Sequence, residues 1–150
     1  MSQTLVSLLV HLVFSTKNRV DFITPDIELD LFAYFSGTLN HHESRCLAAG
    51  GTANHVHLLV SMSKNIALSA LVGELKKSSS KWIKTKGERF GEFGWQDGYG
   101  AFSIGESSVT ALKRYIARQK EHHRRRTFES DVLSLLERYG VKYDERYLWG

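Results

Sequence analysis

Residues 54–60 read Asn54-His55-Val56-His57-Leu58-Leu59-Val60. Apolar and β-branched residues predict a strand, and side chains alternate across a strand with period two. His55 and His57 therefore share one face, about 6–7 Å apart along the strand. Val56, Leu58 and Val60 point the other way, toward a core. Two imidazoles at i and i+2 can converge on one divalent cation. The same spacing also suits two hydrogen-bonded, inert histidines on a half-exposed strand face.

The flanking sequence supplies the partners of this strand. Leu5 to Ser15 is nearly continuous apolar sequence and reads as a strand buried on both faces. Ser44 to Gly50 reads as another, with Gly50-Gly51 as a hairpin turn or bulge, and Gly100 to Ile104 as a fourth. Thr24-Pro25 resembles an N-cap followed by proline at the first helical position. Ile27, Leu31, Tyr34, Phe35 and Leu39 then keep helical spacing to about Asn40. Leu68, Leu71, Leu75 and Trp82 mark a second helix ending near Gly87, with Trp82 on its apolar stripe. A third starts at Ser107 or Ser108 and carries Val109, Leu112 and Ile116; a short fourth restarts at Thr127. The order predicts an α+β fold, a ferredoxin-like split βαβ (βαββαβ) antiparallel sheet with helices on one face plus two C-terminal helices. A single domain is expected over residues 1–150.

Composition sets limits. Hydrophobic residues are 42% and charged residues 24%, which excludes disorder, collagen and coiled coil as whole-chain descriptions. No apolar run reaches the ~18–20 residues of a membrane span. Cys46 is the single cysteine, so neither an intrachain disulfide nor a Cys-rich zinc site is available. It reads as a small buried hydrophobe. A reducing, cytoplasmic setting is expected. The net charge is only +4, but its placement is uneven. Seven basic residues face two acids over Lys64–Arg89, and seven face one over 107–126. Two such segments favour a phosphate-backbone partner.

The second of these carries Tyr115-Ile116-Ala117-Arg118-Gln119. Four residues apart, Tyr115 and Gln119 are expected on one helical face, away from the stripe of Leu112 and Ile116. A tyrosine set among arginines suits a surface contact or a phenolic nucleophile. Such a nucleophile needs a metal or basic surroundings to attack a phosphodiester at neutral pH. Gln119 offers an amide oxygen as a third, neutral metal ligand.

Taken together, these pieces resemble the HUH single-tyrosine transposases, the insertion-sequence-200-like family. His55-Val56-His57 resembles its histidine–hydrophobe–histidine motif, and Tyr115 to Gln119 its Tyr-x-x-x-Gln helix. His11-Leu12-Val13-Phe14, residues 16–19, residues 76–82, residues 95–102 and His122-His123 are also family-like. The order, histidine pair before tyrosine, differs from conjugative relaxases; glutamine rather than lysine at 119 differs from rolling-circle initiators.

The resemblance implies that the chain is a metal-dependent transposase acting on single-stranded DNA with hairpins. His55, His57 and Gln119 would hold Mg²⁺ or Mn²⁺, and Tyr115 on the catalytic helix would form a 5′-phosphotyrosine and release a 3′-OH. It further implies a homodimer, with Tyr115 serving either its own or the partner's histidines, and a cytoplasmic, nucleoid-associated location. Lys17, Arg19, Lys76, Lys77, Lys81 and Arg114 are candidate phosphate contacts. Trp95 and Tyr99 are candidate stacking platforms for unpaired bases, while Phe102 reads as core. His11 alternates with the residues of a buried strand and suits either a satisfied core histidine or a border of the site on a neighbouring strand; it stays outside the metal set. Two other activities fit the residues: a silent hairpin-binding protein, and a metal nuclease using water in place of Tyr115.

Overall fold

The computed structural model describes residues 1–149. Four strands, β1 (Leu9–Ser15), β2 (Arg45–Thr52), β3 (His55–Ser61) and β4 (Gly100–Ile104), form one sheet in the order β2-β3-β1-β4. Every neighbouring pair is antiparallel, and β3 and β1 lie at the centre. This is the expected split βαβ arrangement.

The alternation read in residues 54–60 builds two different faces. On one, Leu12 and Phe14 of β1 and Val56, Leu58 and Val60 of β3 are buried. They pack on α1 (Pro25–His41) through Ile27, Leu31, Phe35 and Leu39, and on α2 (Leu68–Lys84) through Leu71, Val72, Leu75 and Ile83. Each such side chain contributes roughly 1.5–3 kcal/mol by leaving water. The opposite face carries His11, Val13, His55, His57, Leu59 and Phe102. It is covered by α3 (Val109–Ala117), α4 (Gln119–His122) and α5 (Phe128–Arg138). Ile116 packs on Leu9 and Leu59, while Phe128, Leu135 and Leu136 pack on Val13 and Phe102. A last turn, α6, spans Glu145–Leu148. The histidine strand is therefore sealed on both sides, with His55 1% and His57 0% exposed.

Three local expectations need correction. First, β1 begins at Leu9, and the apolar residues Leu5, Val6 and Leu8 before it are exposed. Second, Gly50 and Gly51 lie inside β2; the β2–β3 turn is Ala53-Asn54, closed by Thr52 opposite His55. The glycines answer to packing. A Cβ on Gly50 would stand 2.2 Å from the Ile116 carbonyl oxygen, so α3 rests directly on the β2 backbone there. Third, Tyr115 and Gln119 do not share an unbroken helix. The backbone leaves helical geometry at Arg118 (φ −102°, ψ 19°), whose N–H reaches the carbonyls of both Arg114 and Tyr115, and α4 starts afresh at Gln119.

Candidate active site

Three imidazoles meet between β3 and the α4–α5 corner. The ring of His55 is 5.2 Å from that of His57 and 4.5 Å from that of His123, centroid to centroid. One ring nitrogen from each lies within 4.8 Å of the other two.

Each histidine is oriented through Nδ1. His55 Nδ1 lies 2.9 Å from Asn54 Oδ1, an atom that only accepts, so the nitrogen carries the proton. His123 Nδ1 likewise faces the Arg126 carbonyl at 2.7 Å. His57 Nδ1 is 2.8 Å from His11 Nε2 across the β1–β3 ladder. With Nδ1 used outward, Nε2 of each ring is left with a lone pair turned inward. Nε2 of His57 and of His123 are buried with no hydrogen-bond partner. That is costly unless something else occupies the lone pair.

Gln119 completes the cluster. It is 1% exposed, and its Nε2 reaches back to the Tyr115 carbonyl at 3.5 Å. Its Oε1 thereby faces His55 Nε2 at 3.3 Å. With the His55 proton on Nδ1, Gln119 Oε1 and His55 Nε2 are two acceptors that face the same space; with it on Nε2, they share a hydrogen bond. Burial keeps the rings neutral, the state a metal needs. It lowers His55 to about 4, helped by His123 beside it, and holds His57 well below 6.5 through burial and then His11. Residues and geometry fit a divalent ion.

Tyr115 stands beside this cluster, half-buried, its ring 5.5 Å from that of His57 and nearly perpendicular to it. The phenol donates a hydrogen bond to Asp131 of α5. Burial first, and then this carboxylate, raise its pKa above the usual tyrosine value. Two clefts open at this corner, the first onto Tyr115 and Asp131 and the second onto the cluster. One of about 330 Å³ is lined by His11, Tyr115, His122, Arg126, Asp131 and Arg138 among others. The other, about 510 Å³, reaches His55 and His123 past Lys120, Arg124 and Arg126.

Residues 4–119 match the protein family described as "Transposase IS200 like". The chain belongs to this family. No curated protein matches it. Among solved structures, a protein from Deinococcus radiodurans described as a transposase shares the fold at 20% identity and a TM-score of 0.62, over 77% of this chain and 93% of the other. A REP-associated tyrosine transposase bound to a REP hairpin is similar at 13% identity and a TM-score of 0.60, over 81% and 72%. No helix among the described residues is long and apolar enough to cross a membrane.

The other residues singled out in this IS200-like chain are scattered in their environments. Lys17, Lys77, Lys81 and Arg114 are exposed. Arg114 joins Arg118, Arg125 and Arg126 around a cleft that reaches Tyr115. Arg19 is engaged, its Nε 2.7 Å from Glu129 Oε1. Lys76 is engaged too: its Nζ donates to the carbonyls of Gln96 (2.8 Å) and Gly98 (2.7 Å), and burial lowers it to about 8. Tyr99 is 37% exposed with the Lys76 ammonium over its ring. Trp95 is a correction. It is 8% exposed, edge-on to Phe14 and Phe93, and its indole N–H donates to Ser79 Oγ at 2.9 Å, so it is core and offers no platform to a base.

Three residues that the structure brings to the cluster have no ligand or positioning role in the sequence reading. His123 was visible only as half of His122-His123, and the break at Arg118 that turns it toward His55 leaves no compositional mark. His11 fits a core histidine or a border residue equally well in the sequence, and the structure gives it a partner, His57. Asp131 had no signal at all, being one acid in the amphipathic repeat of α5.

Proposed function

We propose that this chain cuts and rejoins single-stranded DNA by transesterification through Tyr115, at sites marked by hairpins. The observation that carries this reading is the convergence of inward-turned Nε2 atoms and the Gln119 oxygen beside a phenol. His55, His57 and Gln119, joined by His123, would hold the ion. Bound there, a divalent cation would polarise the scissile phosphate and stabilise the charge that develops on it. The donor set is nitrogen-rich, which favours Mn²⁺ over Mg²⁺, a cation that prefers oxygen and keeps its waters.

The chain's own residues do the rest. The Tyr115 oxygen gives its proton to water and bonds to phosphorus; the bond to the 3′ oxygen breaks, and that oxygen takes a proton from water and leaves as a 3′-OH. The 5′ end stays on tyrosine as a phosphodiester. A 3′-OH attacking that linkage reverses the exchange, so joining needs no nucleotide cofactor. Arg114, Arg118, Arg125 and Arg126 line the approach to Tyr115 with positive charge suited to a sugar–phosphate backbone. Lys17, Lys77 and Lys81 are exposed away from this cleft, the last two on α2 across the sheet from Tyr115. Hairpin recognition rests on the likeness to the hairpin-bound transposase, and a homodimer on the family.

The test is a labelled single-stranded hairpin incubated with the protein and Mn²⁺, then run on a denaturing gel. A protein–DNA adduct that is lost in Tyr115→Phe, with hairpin binding kept, is expected. Cut DNA without an adduct would indicate hydrolysis, and binding without cutting a silent binder; either contradicts the proposal.

A further inference from the structure

We infer that Asp131 is the positioning residue for Tyr115, a clamp that holds the phenol over the histidine cluster of its own chain. The inference rests on the reading of Tyr115 as nucleophile. Asp131 lies beyond residue 119, outside the part of the chain that matches the family.

Asp131 is 5% exposed, and both its oxygens are used. Oδ2 accepts from the Tyr115 hydroxyl and Oδ1 from His122 Nε2 at 3.1 Å. The same Oδ2 is 3.8 Å from His123 Nε2, so the phenol oxygen is held at the edge of the cluster. Asp131 is in turn fixed to the sheet. Thr127 caps α5 by accepting from the Ser130 N–H, and Phe128, Leu135 and Leu136 pack on Val13 and Phe102. Strand β1, which carries Val13, is paired with β3, which carries His55 and His57. Phenol, clamp and histidines thus hang from one sheet. The Tyr115 ring packs edge-on to His11, His57 and His122, but the Asp131 carboxylate is the side chain that fixes its hydroxyl, close to where the backbone breaks at Arg118. Reaction rate is steeply sensitive to such placement, since a misplacement near 1 Å costs roughly 10²-fold.

The experiment measures single-turnover adduct formation on a labelled hairpin with saturating protein and Mn²⁺. Asp131→Ala is expected to slow the adduct step roughly 10²-fold while the hairpin Kd stays unchanged. Asp131→Asn keeps an acceptor oxygen and is expected to recover most of the rate, a rescue that a merely structural role would not give. A second arm mixes Tyr115→Phe chains with His57→Gln chains. The mixture is expected to stay adduct-free, because each tyrosine serves its own chain, and this arm stands even if Asp131→Ala fails to fold. Wild-type rate in Asp131→Ala, no rescue by Asn, or an adduct restored by mixing would overturn the inference alone. Absence of any adduct from the wild-type chain would instead bring down the nucleophile reading, and this one with it.

Discussion

His11 Nε2 and His57 Nδ1 are 2.8 Å apart, on adjacent strands and in stacked rings whose centroids lie 5.1 Å apart. For His57 to turn a lone pair inward from Nε2, Nδ1 must carry the proton and donate it to His11. His11 would then act on a bound ion only through His57, fixing its tautomer and ring plane. Removing that acceptor as His11→Ala is expected to weaken Mn²⁺ binding roughly 10–100-fold, the usual effect of losing a ligand's outer partner. His11→Gln, with an amide oxygen able to accept, is expected to lose less. Calorimetric titration of the two variants with Mn²⁺ checks this; unchanged affinity in His11→Ala would remove His11 from the site.

Metal preference follows from the donor atoms. With three imidazole nitrogens and one amide oxygen, Mn²⁺ is expected to bind more tightly than Mg²⁺ and to support the adduct at lower concentration. His123→Ala is expected to narrow that preference, since it leaves fewer nitrogens. Side-by-side titrations of activity with the two ions give the answer.

Gly50 links fold and site. Gly50→Ala would push a methyl group against the Ile116 carbonyl, one residue from Tyr115. The expected cost is about 1–3 kcal/mol of stability, as for other overpacked contacts. A larger proportional loss of adduct formation is expected on the proposed mechanism, because α3 carries Tyr115. Gly73→Ala serves as the control. That position meets nothing within 4 Å and lies inside α2, so alanine is expected to stabilise by about 0.5–1 kcal/mol. Thermal melts and single-turnover rates on both variants separate the two effects.

Acid should unfold the metal-free protein for a nameable reason. Burial lowers His11 and His55 to about 4 and His57 well below its ordinary 6.5. Between the folded and unfolded values the unfolded chain binds more protons, so stability falls as pH drops below about 6.5 and is intact above it. Melting in a chelator from about pH 8 to about pH 4 is expected to show a slope approaching three protons, reduced in His11→Gln. A flat profile would mean that the imidazoles are not buried neutral.

The strands and the first two helices were legible because their apolar periods are strong and their faces serve one core. Residues 54–60 announced both the strand and the sidedness of its histidines. What the sequence concealed depends on contacts between distant segments. Gly50-Gly51 looked like a turn because glycine's lack of a Cβ serves a tight bend and a close helix approach equally well. Trp95 sat among glycines like an exposed loop aromatic, yet its ring closes the core against Phe14. Lys76 and Arg19 counted as free charge, but backbone carbonyls and Glu129 already hold them. Asp131 and His123 enter the site only because the chain breaks at Arg118 and folds α5 back over the sheet.

The most direct measurement is mass spectrometry of the covalent product. After reaction with a single-stranded hairpin and Mn²⁺, followed by nuclease and trypsin digestion, the peptide Tyr115-Ile116-Ala117-Arg118 is predicted to carry a nucleotide on Tyr115 through its 5′ phosphate. Cleaved DNA with this peptide unmodified, or the nucleotide on another residue, would contradict the account.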